Sequence, residues 1–336
     1  MSALVETIGL KKFFHNKKGM LHAVDDVSLS IEKGTTMGVV GESGCGKSTL
    51  GRVIIHLLES TDGQLVFQGE DITHVNKRKL RSLREDMQII FQDPYSSLDP
   101  RMTVEETLKE PLVISRRFKS NADLDKDIIR LMDTVGLARR MRMAYPHELD
   151  GGRRQRIGVG RALSLNPKFI VCDEPVSALD VSIQAQILNL LHSLQKEYGL
   201  TYMFVTHDMS VVRHISDNIS VMYLGQLVET SPSKEIFQTP LHPYTQALLS
   251  AIPSKDIHKK RERIILGGEL TSPINPKPGC RFFARCLYAC EECQNPQVLE
   301  EATPNHFVSC CQYKNINSET LHKFTRLTSN RPEYTQ

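Results

Sequence analysis

The chain of 336 residues contains no tryptophan, and aromatic residues make up only 6% of it. It has no apolar run approaching the roughly 20 residues that a helix needs to cross a bilayer. The opening residues, Met1-Ser-Ala-Leu-Val-Glu6, have neither the basic start nor the apolar stretch of a secretory signal. The expectation is therefore a cytosolic protein without a membrane span. A large charge excess is also missing: the formal net charge is +3, with basic residues scattered rather than striped. That gives no argument for a nucleic-acid partner. No internal repeat is visible. Cysteine is scarce over most of the chain, with only Cys45 and Cys172 before residue 280 and the other six between 280 and 311. In a reducing compartment such a cluster reads as ligands rather than disulfides. What remains is a hydrophobic content of 40% and a charged content of 24%, the balance of a soluble globular protein. The length fits about two domains and suffices to bury a core.

The stretch that organises the chain is Gly41-Glu-Ser-Gly-Cys-Gly-Lys-Ser48, followed by Thr49, which fits G-x-x-x-x-G-K-[ST] at every fixed position. An apolar run, Thr36–Val40, precedes it and reads as a buried strand; Thr49–Leu58 follows and reads as a helix. Strand, glycine-rich loop and helix together make a phosphate site. Gly41, Ser43, Gly44, Cys45 and Gly46 let successive backbone N–H groups wrap phosphate oxygens, and the helix N-terminus adds its dipole. Lys47 is placed to reach the β- and γ-phosphates and Ser48 to ligate Mg²⁺.

Further strands are expected around Lys11–Phe14 and Val27–Ile31, at Gly63–Gly69, Met87–Gln92, Phe169–Asp173 and Thr201–Thr206, with a hairpin over Ser220–Thr230. Phe13 or Phe14 is suited to stack on a purine ring or to sit in the core. Helical patterns fall at Asn76–Arg84, within 103–147, from Gly151 to Ser164 and at Val181–Glu197. Strands alternating with helices predict an α/β fold with a mostly parallel sheet covered on both faces. The apolar run Phe169–Cys172 ends in Asp173 and Glu174. Acids at the C-terminal edge of a buried parallel strand lie where such sheets bind ligands. Asp173 is suited to hold Mg²⁺ through water and Glu174 to polarise an attacking water. His207 falls at the same edge, just past Thr206, and is read as a γ-phosphate contact.

The order of phosphate loop, Gln92, Leu149-Asp-Gly-Gly-Arg153, Asp173-Glu174, Ser177-Ala-Leu-Asp180 and His207 resembles the ATP-binding subunit of an ABC transporter. The runs Tyr95–Pro100, Pro175–Gln186 and Pro240–Leu248 look like its oligopeptide/dipeptide import branch, specifically the second ("F") ATPase of a heterodimeric pair. The resemblance covers residues 4 to 255 and implies a phosphate-loop NTPase fold with a parallel-sheet core, an antiparallel β subdomain and a helical subdomain at about 100–165. It implies ATP and Mg²⁺ as ligands. Phe13 is matched to the aromatic on adenine; Lys47, Ser48 and Thr49 hold phosphates and metal; Gln92 senses the metal; Ser48, Gln92 and Asp173 surround Mg²⁺. Glu174 is the implied catalytic carboxylate, His207 the γ-phosphate switch and Asp180 the residue that communicates across a dimer of ATPases. The implied partners are a second ATPase subunit, two transmembrane permease subunits at the cytoplasmic face of the membrane and, through them, an extracytoplasmic binding protein. Competing expectations are an importer of nickel, a metallophore or another small solute, a catalytically weak regulatory half of such a pair, and a soluble ABC ATPase of DNA repair or the ribosome.

The family's signature is usually Leu-Ser-Gly-Gly-Gln, and here it is Leu149-Asp150-Gly151-Gly152-Arg153. An aspartate near a partner's γ-phosphate sets anion beside anion, on the order of 4 kcal/mol at ~4 Å and an effective dielectric of about 20. Arg153 can offset this by pairing with Asp150 or with the phosphate. The expectation is a weakened partner site and an active site on Lys47 and Glu174.

Residues 256–313 form an expected extension, beginning with a basic and proline-rich linker. It carries Cys280-x5-Cys286-x6-Cys293-x16-Cys310, with Cys290 and Cys311 in addition. By the same resemblance Cys280, Cys286, Cys293 and Cys310 ligate a [4Fe–4S] cluster, Zn²⁺ and free thiols being the alternatives. Residues 314–336 read as a polar tail.

Overall fold

The computed structural model describes residues 3–93, 95–116, 120–252, 263–267 and 272–316. Residues 256–262 and 268–271 of the expected linker and nearly all of the expected polar tail lie outside the described residues. The first two strands, β1 (Ala3–Asn16) and β2 (Gly19–Glu32), pair antiparallel along their whole length. The sequence pattern anticipated only short pieces there. Register shifts between Thr7 and Leu10 and around Lys12 interrupt the alternation that would have revealed continuous strands.

Next come β3 (Thr36–Val40), α1 (Lys47–Ile54), β4 (Asp62–Phe67), β5 (Glu70–Asp71), α2 (Lys77–Asp86) and β6 (Met87–Ile90). Helices α3 (Val104–Ser115), α4 (Asn121–Thr134) and α5 (Gly151–Leu163) follow. The N-cap of α3 is a reciprocal box in which the Thr103 hydroxyl accepts from the Glu106 amide and the Glu106 carboxylate accepts from the Thr103 amide. The second half of the chain supplies β7 (Phe169–Asp173), α6 (Val181–Tyr198), β8 (Thr201–Thr206), α7 (Met209–Ile215), β9 (Asn218–Tyr223), β10 (Gln226–Pro232), α8 (Ser233–Gln238) and α9 (Pro243–Ser250). Two short strands, β11 (Glu300–Thr303) and β12 (His306–Val308), complete the described chain.

These strands build two sheets. The smaller is antiparallel, in the order β2-β1-β4-β5; the larger runs β11-β12-β10-β9-β3-β8-β7-β6, with β9, β3, β8, β7 and β6 parallel. Strands β3, β7 and β8 are buried at every position because both faces are covered. On β7, Phe169 and Val171 face the core shared with the antiparallel sheet and α1, while Ile170 and Cys172 face the core shared with α3–α6. On β8, Met203 and Val205 divide from Tyr202 and Phe204 in the same way. This is the two-residue period of a doubly covered sheet.

The Cys-rich extension is not a separate appendage. Its strand β12 joins the edge of the main sheet by pairing with β10. His306 on β12 lies 2.7 Å from the carboxylate of Glu229 on β10, and both are buried. That carboxylate also accepts from the backbone N–H groups of Leu241 and His242. Phe282 of the extension is fully buried against Tyr223 and Tyr244.

Candidate nucleotide site

Strand β3 delivers the chain into the phosphate loop at Gly41, and the loop leaves into α1 at Lys47. Gly46 has φ 106°, and a Cβ there would stand 1.9 Å from the carbonyl oxygen of Ala23. Only glycine fits both the left-handed backbone and that approach. The Lys47 side chain folds back over the loop, and its Nζ donates to the carbonyls of Gly41 and Glu42, each at 2.8 Å. The ammonium is thus buried and held against the loop's own carbonyls.

Two loops at the C-terminal edge of the sheet bring the acidic residues to the same place. Asp173, at the end of β7, is 2% exposed and accepts from the Ser48 hydroxyl at 2.6 Å. Arg52 of α1 approaches its other oxygen at 3.4 Å. Glu174 has φ 48°, an unfavourable left-handed conformation for a side chain of this kind, fixed by its N–H donating to the carbonyl of Val205. The turn points its carboxylate between Gln92 and His207: Gln92 Nε2 donates to Oε2 at 2.9 Å, and His207 Nδ1 lies 3.2 Å from Oε1.

Lys47, Ser48, Gln92, Glu174 and His207 line one open cavity of about 670 Å³, together with Gly41, Ser43, Gly44, Gly46 and Thr49; Asp173 reaches it only through its hydrogen bond with Ser48. Its size suits a nucleotide-sized ligand. At the phosphate end the donors are oxygens, from Ser48, Asp173 and Gln92, the hard set that Mg²⁺ takes. The short Ser48–Asp173 hydrogen bond brings two of those oxygens together. Cys45 belongs to the loop without lining the cavity; its thiol is buried, and burial raises its pKa.

The other end of the cavity differs from the sequence reading. Phe14 lines it and Phe13 does not. Phe13 stacks on His22 with ring centroids 3.9 Å apart, and His22 is itself a wall residue. Leu21, Leu248 and Pro273 complete this wall. Pro273 arrives from the segment read as a linker, held by the His22 N–H donating to its carbonyl at 3.0 Å. No sequence spacing signals these neighbours.

The extension also braces the phosphate loop. Arg285 donates from both terminal nitrogens to the Glu42 carboxylate, at 2.9 and 3.1 Å. Arg281 pairs with Asp25, which also holds His22 Nδ1 at 2.9 Å. The Tyr244 hydroxyl accepts from the Glu42 amide. Glu42 and Tyr244 fall within motif runs of the sequence; Asp25, His22, Arg281 and Arg285 do not.

The signature residues lie away from this cavity. Leu149 is buried, and Asp150 is the N-cap of α5. Its Oδ1 accepts from the Arg153 amide at 2.8 Å, and its Oδ2 pairs with Arg153 Nη1 at 3.1 Å. Gly151 and Gly152 let α5 close on the start of α6; a Cβ at Gly152 would stand 2.7 Å from Ile183. Asp180 caps α6, accepting from the Ile183 amide and the Ser182 hydroxyl, and the amide hydrogen bond chiefly lowers its pKa.

The six late cysteines gather in the extension as free thiols. Cys280, Cys286, Cys293 and Cys310 line a common cavity with Cys311. Burial pushes the Cys286 thiol up to about 12 and the Cys310 thiol up to about 11. The cavity measures about 10 Å³. That is room for one small ion or water.

A phosphate loop and a strand-end Asp-Glu pair on one parallel sheet, joined to an antiparallel sheet and a helical arm, define an ATP-binding cassette. Known proteins agree. The family model described as ABC transporter matches residues 24–177, and that described as oligopeptide/dipeptide transporter, C-terminal region, matches residues 228–293. The chain is 52% identical over 306 residues to the oligopeptide transport ATP-binding protein AppF of Bacillus subtilis, covering 89% of this chain and 92% of that protein. It is 48% identical to the oligopeptide transport ATP-binding protein OppF of Salmonella typhimurium, covering 91% and 95%, and 46% identical to the dipeptide transport ATP-binding protein DppF of Haemophilus influenzae, covering 91% and 96%. Among solved structures it resembles cbiO1 from Clostridium perfringens, with a TM-score of 0.64 and 26% identity over 71% of this chain and 92% of that one. It also resembles a dimer of the ATP-binding cassette MJ0796 bound to ADP and phosphate, with a TM-score of 0.62 and 29% identity over 68% and 98%.

The chain belongs to the ABC transporter ATP-binding proteins, in the family that carries the oligopeptide/dipeptide transporter C-terminal region. It is an ATPase of the transport-coupled type. Membership implies a pair of ATPase domains and transmembrane permease subunits as partners. No helix among the described residues is long and apolar enough to cross a membrane.

Proposed function

We propose that this chain is one of two ATPase subunits that power uptake of dipeptides and oligopeptides through separate permease subunits. The observation that carries the cargo is the full-length similarity to oligopeptide and dipeptide transport ATP-binding proteins, at 46–52% identity over at least 89% of the chain. The subunit sits on the cytoplasmic face of the membrane, paired with a related but different ATPase, and receives peptide through the permease from an extracytoplasmic binding protein. Reconstitution with its permeases and binding protein tests the cargo. ATP hydrolysis stimulated by peptide-loaded binding protein supports it; stimulation by nickel or a metallophore instead overturns it.

Within the site, Lys47 and the loop amides bind the phosphates, and Phe14, backed by His22 and Phe13, receives the base. Ser48, Gln92 and Asp173 would hold Mg²⁺, which neutralises charge on the β- and γ-phosphate oxygens. Glu174 orients the attacking water and takes its proton on the carboxylate. Gln92 and His207 fix that carboxylate from two sides, so their hydrogen bonds support its orientation. His207 turns towards the γ-phosphate when nucleotide is present. Charge present before hydrolysis and dispersed after it is a sufficient latch for closing and releasing the pair of domains.

Leu149–Arg153 and Asp180 face the partner ATPase, with the signature completing the partner's site. Asp150 brings a carboxylate to that helix terminus, and its pairing with Arg153 supports only partial neutralisation. The partner's site is therefore the slower of the two. For the domains, residues 1–255 are the ATPase, with the helical arm at about 100–165; residues 256–313 are the extension and 314–336 a tail. The family resemblance carries a [4Fe–4S] centre to Cys280, Cys286, Cys293 and Cys310, with Zn²⁺ as the alternative. Thiolate chemistry accepts either.

A further inference from the structure

Two of the six clustered cysteines, Cys290 and Cys311, fall outside the four-cysteine spacing. Yet the tightest grouping of sulfurs contains both. Cys290 Sγ lies 3.6 Å from Cys293 Sγ and 4.0 Å from Cys311 Sγ, and Cys293 and Cys311 are 3.5 Å apart. All three ligand atoms fall within 4.8 Å of one another, and no other such group occurs among the described residues.

The local backbone creates this grouping. A short 3-10 turn at Glu291–Gln294 carries Cys290 and Cys293 to the same side, closed by the Cys293 N–H donating to the Cys290 carbonyl at 3.1 Å. The turn is anchored from the other side by the Cys280 N–H, which donates to the Cys293 carbonyl. Cys311 arrives just after β12, so its position is set by the sheet pairing of β12 with β10. The Gln297 side chain holds the Cys311 amide at 3.1 Å, and the Gln312 amide donates to Cys290 Sγ at 3.2 Å. A donor aimed at a sulfur and a fixed amide beside another are the kind of outer contacts that orient thiolate ligands.

The spacing distinguishes one ion from a cluster. Zinc–thiolate bonds of about 2.3 Å in a tetrahedron put neighbouring sulfurs about 3.8 Å apart. A four-iron cluster distributes its four cysteines over four separate irons, which places them farther from each other than ligands of one ion. We propose that Cys290, Cys293 and Cys311 form a three-thiolate site for a single soft divalent cation, with Zn²⁺ the best match. The fourth tetrahedral corner is open to water or an added ligand. Binding converts three thiols to thiolates and releases their protons, so it is favoured as pH rises. The site rests on the metal–thiolate reading of the extension and replaces its ligand set: Cys293 serves whichever centre forms, and the two are mutually exclusive.

The test uses the full-length protein, stripped of metal and titrated anaerobically with Zn²⁺ against a chromophoric chelator, and with Co²⁺ to read thiolate charge transfer. The expected result is one ion per chain, with affinity weakened by more than about tenfold in Cys290→Ser and in Cys311→Ser. Cys280→Ser and Cys286→Ser stay within about twofold of the parent on the same argument. Gln312→Leu, which removes only the donor to Cys290, weakens binding without removing a ligand and guards against misfolding of the cysteine variants. Unchanged zinc affinity in Cys290→Ser and Cys311→Ser overturns the proposal. So does an iron chromophore lost in Cys280→Ser and Cys286→Ser but kept in Cys290→Ser; that outcome restores the four-cysteine cluster. A protein that binds neither metal overturns both readings of the thiols and leaves the peptide-import function untouched.

Discussion

Arg153 holds Asp150 twice, through its backbone N–H to Oδ1 at 2.8 Å and its Nη1 to Oδ2 at 3.1 Å. The aspartate therefore caps α5 as a serine would, while adding a charge that a serine lacks. The two roles separate by substitution. Asp150→Ser keeps a capping oxygen and should leave folding stability nearly unchanged. Asp150→Ala removes it and should cost about 1 kcal/mol in chemical denaturation. In the assembled transporter, Asp150→Ser should raise hydrolysis at the partner's site; a change at this chain's own site instead would contradict the assignment.

Phe14, not Phe13, faces the nucleotide cavity. Phe14→Ala should weaken ATP binding by about tenfold, the lower range of base–aromatic stacking. Phe13→Ala should act only through His22 and weaken it by a smaller factor. Binding of a fluorescent adenine nucleotide to the two variants checks the order.

Arg285 ties the extension to the phosphate loop through Glu42. Arg285→Ala should loosen that loop and raise the ATP dissociation constant severalfold, with no loss of the sheet pairing between β10 and β12. Nucleotide titration and hydrogen exchange at His306–Val308 read the two effects separately.

His242 supplies a pH dependence. It is buried, and burial pulls its pKa down to about 3 from an ordinary 6.5. Its Nδ1 accepts the Tyr244 N–H as the N-cap of α9, a role that needs the unprotonated nitrogen. The unfolded chain takes up a proton below about 6.5 and the folded chain does not, so stability is full above that pH. It falls as pH drops towards 3, by at most about 1.4 kcal/mol per pH unit. His242→Asn keeps a cap acceptor without the titration, and its denaturation midpoint should depend less on pH across that window.

Much of this was legible in the sequence where local pattern and chemistry coincide. Thr36–Val40, Phe169–Asp173 and Thr201–Thr206 are buried throughout and apolar except at the terminal Thr36, Asp173, Thr201 and Thr206, the pattern of parallel strands covered on both faces. The phosphate loop and its following helix have a fixed spacing because loop amides and helix N-terminus converge on phosphate. Helix α1 ends at Ile54, however, earlier than its apolar run to Leu58 implied. The illegible parts depend on distant partners. Strand β12 has three residues and becomes a strand by pairing with β11 on one side and docking on β10 on the other. Pro273 looks like linker and becomes cavity wall because its segment pairs with β2, through the His22 N–H to Pro273 and the two hydrogen bonds between Met20 and Asn275. Cys290 and Cys311 have no motif spacing, and a 3-10 turn and a sheet edge bring them together.

The central claim is that Glu174, steadied between Gln92 and His207, drives hydrolysis at the site built on Lys47. The most direct measurement is the ATPase rate of the assembled transporter carrying Glu174→Gln, beside the same complex with the equivalent change in the partner subunit. The account predicts that Glu174→Gln retains ATP binding and lowers turnover by at least about a hundredfold, as loss of a general base does, while the partner change removes only a minor part. Turnover that survives Glu174→Gln, or equal losses from the two changes, would contradict it.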